Sequence, residues 1–94
     1  MKLNFEWDEE KAKANLRKHK VSFYEATTVF INPLSITMLD PDHSVDEQWY
    51  IDIGSSDKSR LLVVSYTERG SNIRIISCRK ATPSERKRYE EGSK

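Results

Sequence analysis
Leu3, Phe5 and Trp7 alternate with polar residues at the start of the chain, the period of a half-buried strand. Asp8 then stands as the N-cap of a helix expected to run to about Lys18. Glu9 and Glu10 fall in its first turn and Arg17, Lys18 and His19 near its end, complementing the helix dipole at both ends. Its apolar face is thin: Ala12 and Leu16 share it, which places the helix on the surface of a sheet. SFYE at 22–25 is a capping box, and Phe23, Ala26 and Phe30 follow at helical spacing, so a second helix is expected to about Ile31, ended by Asn32 and Pro33.

The pattern then changes to strands. One is expected over 35–39, followed by the turn-rich DPDHS. SVDE at 44–47 is a second capping box with room for one helical turn, and Trp49, Ile51 and Ile53 alternate as a strand closing at Gly54. RLLVVSYTE and NIRIISCRK, β-branched and apolar along most of their length, make a central hairpin with Arg69 and Gly70 at its turn. That turn sets Thr67 opposite Asn72 and Ser65 opposite Arg74, with Tyr66, Val64 and Leu62 meeting Ile73, Ile75 and Ser77 under the helices. Arg79 then takes the helix-side parity, opposite Arg60, unless a bulge near Ser77 reverses it. TPSE at 82–85, with Pro83 at the first helical position, opens a C-terminal helix that has little to bury beyond Tyr89. The expected fold is a two-layer α+β domain: an antiparallel meander, two N-terminal helices on one face, and a C-terminal helix.

Length and composition narrow this further. A chain of 94 residues, a third of them charged, is expected to form one domain over 1–94. No apolar run approaches the roughly 18 residues that span a membrane, and MKLNFEWDEE lacks a signal peptide's apolar core, so a cytoplasmic location is expected. Cys78 is the single cysteine and His19 and His43 the two histidines, which leaves no internal disulfide, no metal-ligand spacing and no cofactor expected. The net charge of +1 conceals an asymmetry: residues 1–50 carry six Lys/Arg against nine Asp/Glu, residues 51–94 ten against six. Between Arg69 and Arg88, seven basic residues face only Glu85, a cluster that reads either as a solvated surface or as a site for several phosphates.

The opening FEWDEEKAKANLRKHKVSFYEATTVF, the central DPDHSVDE and the closing LLVVSYTERGSNIRIISCRKATPSERKRYE resemble the BrnT family of toxins over nearly the whole chain. Two positions depart from that family's usual pattern: Gln48, where arginine commonly follows the glutamate, and Cys78, where alanine is usual. The resemblance implies a RelE-like fold, an endoribonuclease that arrests translation, and neutralisation by a BrnA-type antitoxin. It further implies operator DNA reached only through that antitoxin and a toxin–antitoxin heterotetramer as one form of the complex, while the lack of a long apolar run leaves no membrane partner expected.

Metal-free RNA cleavage needs a base near the 2′-hydroxyl, a proton donor for the leaving oxygen, and fixed cations at the phosphorus. Arginine suits the last role, because its planar fork meets phosphate oxygens in pairs and stays charged. No glycine-rich phosphate loop or serine nucleophile elbow competes with this reading, and Cys78 sits within a strand. Arg74 in mid-strand on the open face and Arg79, favoured by the resemblance, are the candidate phosphate ligands. His43 in a turn is free to titrate near neutral pH, and Glu68 is a candidate base, although each also reads as an ordinary turn residue. Glu47 either pairs with His43 or caps with Ser44. Arg69, Lys80, Arg86, His19 and Tyr66 are the candidate RNA contacts, His19 doubling as a helix-end cation and Tyr66, like Tyr89, as a core aromatic. A non-catalytic module that binds protein or nucleic acid through the same arginines is the competing function. Direct DNA recognition is weaker, since no helix-turn-helix pattern occurs.

Overall fold
The computed structural model describes residues 3–40 and 47–92. Its elements run β1 (Asn4–Glu6), α1 (Glu9–His19), α2 (Phe23–Val29), β2 (Ile36–Asp40), β3 (Trp49–Ser55), β4 (Leu61–Arg69), β5 (Asn72–Lys80) and α3 (Pro83–Gly92). His43 and most of the expected SVDE turn lie outside the described residues.

The caps fall where side-chain chemistry places them. Asp8 accepts from the backbone N–H groups of Glu10 and Lys11 at 2.8 and 3.1 Å, and Lys20 ends α1 in the left-handed conformation at φ 61°. Ser22 accepts from the Glu25 N–H, but the Glu25 carboxylate does not return the bond: it turns inward to Ser56 and Arg60. At α3 the box is complete, with Glu85 N–H on Thr82 Oγ1 and Thr82 N–H on Glu85 Oε1.

One five-stranded sheet has the order β1-β5-β4-β3-β2. Strands β2 to β5 form the expected antiparallel meander, while β1 joins the far edge parallel to β5. The hairpin register differs from expectation by two residues: Arg69 pairs with Asn72 and Thr67 with Arg74. Gly70 and Ser71 form the turn, because Gly70, at φ +60°, takes the first loop position, where a positive φ suits glycine. Further along, Tyr66 pairs with Ile75 but Ser65 with Ser77, so Ile76 is an extra residue in a β-bulge.

The helix face of the sheet carries the main core, in which Val21, Phe23, Ala26 and Val29 pack on Leu62, Val64, Ile75 and Cys78. Gly54 leaves room for the segment before β2 and for α2, since a Cβ there would meet the Ser35 Cβ at 2.7 Å and the Val29 Cγ1 at 3.2 Å. α1 docks by polar chemistry instead: its one buried residue is Asn15, whose amide donates to Val21 O and Cys78 O and accepts from Cys78 N–H. Past the end of β1 the outer edge of β5 has no strand beside it, and this side chain takes the strand's place. On the other face a smaller cluster of Ile53, Leu61 and Val63 is covered by Ala81 and Tyr89 as α3 crosses one end of the sheet. No residue of α3 is itself buried.

Candidate nucleic-acid interface
The register sets Glu6, Arg74, Thr67 and Trp49 side by side in one row across β1, β5, β4 and β3. These four share the face opposite α1 and α2, at the end that α3 leaves open. Arg74 donates to Glu6 Oε2 at 2.8 Å, and Asn72, two residues earlier on the same face, donates to Glu6 Oε1 at 3.0 Å. Those two hydrogen bonds hold the Glu6 carboxyl below its ordinary value, so it is ionised at neutral pH. Thr67 is buried and donates to Gln48 O, tying β4 to the start of β3. Trp49 is half-buried, and its indole N–H lies 3.4 Å from Glu47 Oε1.

The bulge decides where Arg79 goes. Five positions separate it from Arg74, an odd number that would send the two side chains to opposite faces, and the extra residue Ile76 restores a common face. Arg79 therefore pairs with Val63 on the open side, not with Arg60 on the helix side. It meets Glu85 fork to fork, at 2.7 and 2.8 Å, and that contact pulls the Glu85 carboxyl down to about 2. The two arginines stand roughly 15 Å apart along the strand and turn to carboxylates at opposite ends of the face. Arg60, expected opposite Arg79, instead grips the buried Glu25 carboxylate from the helix side.

Other candidates separate from this site. Tyr66 is 7% exposed, faces the helices, packs edge-on against Phe30 and donates to Asp52, so it is a core residue and offers no surface for a base. Glu68 pairs with Ile73 on the helix-side parity, away from Arg74. Lys80, opposite Leu62, shares that parity and is exposed. His19 lies in the last turn of α1, across the sheet from the row. Arg69 stays beside the site at the hairpin end, 3.8 Å from Glu47, and Arg86 is exposed on α3. Cys78 is fully buried and its thiol is pushed up to about 12, which leaves no nucleophile there. Among the described residues no group of three or more His, Cys, Asp and Glu is placed to hold a metal ion, and no helix is long and apolar enough to cross a membrane.

Glu6 and Trp49 are the residues that periodicity missed. The alternation of Phe5 and Trp7 marks Glu6 only as an outward polar position, and Trp49 reads as one more apolar strand residue.

Two arginines, an ionised carboxylate and a tryptophan on one sheet face of a small α+β domain are groups of the kind that meet phosphates and bases. The chain belongs to the family described as ribonuclease toxin, BrnT, of type II toxin-antitoxin systems, whose model matches residues 7–85. It is also similar in fold to the ribonuclease toxin BrnT of Brucella abortus, known from a crystal structure. The TM-score is 0.63 at 21% identity, over 86% of this chain and 99% of that one. No curated protein sequence matches at a significant level. Family membership brings ribonuclease activity at the level of the family, and an antitoxin as partner.

Proposed function
We propose that this protein is a cytoplasmic toxin that blocks translation by cutting RNA on the open sheet face without a metal ion, and that a BrnA-type antitoxin silences it. The observation that carries the reading is the row Glu6, Arg74, Thr67 and Trp49, which sets a carboxylate, a guanidinium and an indole side by side.

In this mechanism Arg74 exchanges part of its contact with Glu6 for the oxygens of the scissile phosphate. Glu6, already ionised, takes the proton from the 2′-hydroxyl. The 2′-oxygen bonds to phosphorus as the bond from phosphorus to the 5′-oxygen breaks. The leaving oxygen takes a proton from His43, giving a 5′-hydroxyl and a 2′,3′-cyclic phosphate. Arg79 holds a phosphate further along the strand, and Trp49 receives a base.

Growth arrest on expression, with cleavage of a single-stranded RNA in EDTA and cyclic-phosphate ends, tests the reading. Glu6→Gln and Arg74→Ala are expected to abolish both, and a 2′-deoxy substitution at the scissile nucleotide to block cutting. Full toxicity in the Arg74 variant overturns this site. Binding of RNA without any cutting by the wild type favours the non-catalytic module, for which the carboxylate-paired arginines serve equally well as ligands.

A further inference from the structure
On the side of the sheet away from Arg74, α1 and α2 leave a cleft of about 170 Å³ lined by the apolar Trp7, Ala12, Leu16, Phe23 and Tyr24 together with Glu9, Lys13 and Ser22. Two of its apolar walls are left uncovered by the fold: Leu16 is 51% exposed and Tyr24 73%. The Tyr24 ring stands edge-on to Trp7, their centroids 5.1 Å apart, and Trp7 stands edge-on to Phe23, so one side of the cleft is a fixed aromatic wall. Asn15 joins α1 to the sheet edge by three hydrogen bonds, and Leu16 beside it is left half exposed.

A stripe of cations borders the cleft. Lys13, Arg17 and Lys20 follow one another at helical spacing and with Leu16 line a shallow surface that continues from it. Among the described residues none of these three meets a carboxylate, whereas Arg60, Arg69, Arg74 and Arg79 each do. Unpaired cations beside an uncovered apolar cleft are complementary to a segment that carries carboxylates and one large apolar side chain. The cleft is smaller than the roughly 300–1,000 Å³ of small-molecule sites and suits a single inserted side chain.

We infer that the α1–α2 cleft and the Lys13, Arg17 and Lys20 stripe anchor an acidic segment of the antitoxin, on the face opposite the RNA site. This rests on the reading of the chain as a toxin with an antitoxin partner. The cleft is concave and largely apolar, unlike the flat ring and cation platform that takes a base, and it opens on the face opposite Arg74. The anchor therefore serves a protein, and leaves the arginine face to be covered by another part of the same partner.

The test uses the full-length toxin and the purified protein encoded by the open reading frame beside its gene. Lys13→Glu/Arg17→Glu and Leu16→Ser change exposed side chains, and circular dichroism melts confirm that the variants fold. Each is expected to weaken binding of that protein about tenfold or more while RNA cleavage by the free toxin stays at the wild-type rate. Tight wild-type binding with variant affinities within about twofold of it overturns the anchor alone. Loss of RNA affinity with antitoxin affinity retained assigns the surface to nucleic acid and also overturns it. If the wild type does not bind that protein, the antitoxin reading falls first, whatever the variants do.

Discussion

Arg74 on β5 and Trp49 on β3 lie in one line across the sheet, with Thr67 between them as the cross-strand partner of both. Thr67 is 2% exposed and hydrogen-bonded to Gln48 O, so the guanidinium and the indole are held at a fixed separation by a rigid spacer. A nucleotide whose phosphate sits on Arg74 has its base directed towards the ring or away from it, and stacking selects the first. Replacing Trp49 by alanine is expected to weaken binding of a single-stranded oligoribonucleotide by about 1–3 kcal/mol. Trp49→Phe retains most of the affinity. Fluorescence anisotropy in the Glu6→Gln background, where cutting is expected to be absent, measures both. Tyr66→Phe is the control, and an equal loss there would show that stacking is not the cause.

Glu85 serves α3 and Arg79 with one carboxylate, closing the capping box through Oε1 and clamping the guanidinium through both oxygens. Its pKa falls from 4.5 to about 2 on folding, with the Arg79 hydrogen bonds as the largest cause. A depressed carboxylate contributes stability that is present above its unfolded value and lost as the pH falls through the folded one. The window for Glu85 is therefore pH 4.5 down to about 2. Glu85→Gln keeps an acceptor for the Thr82 N–H but loses the charged pair with Arg79, so it is expected to cost about 1 kcal/mol at pH 7 and to flatten the acid limb of stability in that window. Urea melts between pH 2 and 7 measure it, and an unaltered acid limb contradicts the assignment.

Asn15 makes three hydrogen bonds that join α1 to the loop before α2 and to the edge of β5. An Asn15→Leu variant keeps the volume and strands the Cys78 N–H together with the Cys78 and Val21 carbonyls. With each buried unpaired group costing about 1–3 kcal/mol, a loss of about 3 kcal/mol is expected, a fall of more than about 10 °C in Tm. A thermal scan decides: a shift of less than about 4 °C would mean that α1 is held by its apolar face after all.

Much of the fold is legible in local chemistry. Asp8, Ser22 and Thr82 cap their helices because a short oxygen-bearing side chain satisfies free N–H groups whatever the rest of the chain does. The meander follows from consecutive β-branched runs with short connections. What failed depends on choices between distant segments. A three-residue β1 carries no signal naming β5 as its partner or parallel as its direction. The register slipped by two because the positive φ of Gly70 belongs at the first loop position, not the second. Shifting by two preserves parity, so the open face of Arg74 was read correctly even with the wrong partners. The bulge at Ile76 was foreseeable only as a condition for Arg74 and Arg79 to share a face. Asn15 hides for a similar reason: a polar residue in an exposed helix looks solvated until the edge it caps is in place.

Asp52 is 4% exposed and accepts hydrogen bonds from Thr37 Oγ1 at 2.7 Å and Tyr66 Oη at 3.1 Å, both on the same carboxylate oxygen. No cation among the described residues pairs with it. Burial is the largest cause acting on its pKa and outweighs the two hydrogen bonds, raising it above 3.8. The same surroundings push the Tyr66 hydroxyl well above its ordinary value of 10, so it remains a donor at any working pH. A carboxyl raised on folding contributes stability that is fully present below its unfolded value and lost as the pH rises through the folded one. Asp52 therefore acts against Glu6, Asp8, Glu25 and Glu85, all of them depressed. Asp52→Asn keeps an acceptor for Thr37 and Tyr66 and removes the charge. It is expected to leave stability at pH 7 equal to the wild type or higher, with the variant gaining on wild type as the pH rises above 3.8 through the folded value of Asp52. Chemical denaturation at closely spaced pH values compares the two proteins. A variant less stable than wild type at pH 7 by more than about 1 kcal/mol would mean that the ionised carboxylate, not the neutral acid, is what the Thr37 and Tyr66 hydroxyls are arranged to hold.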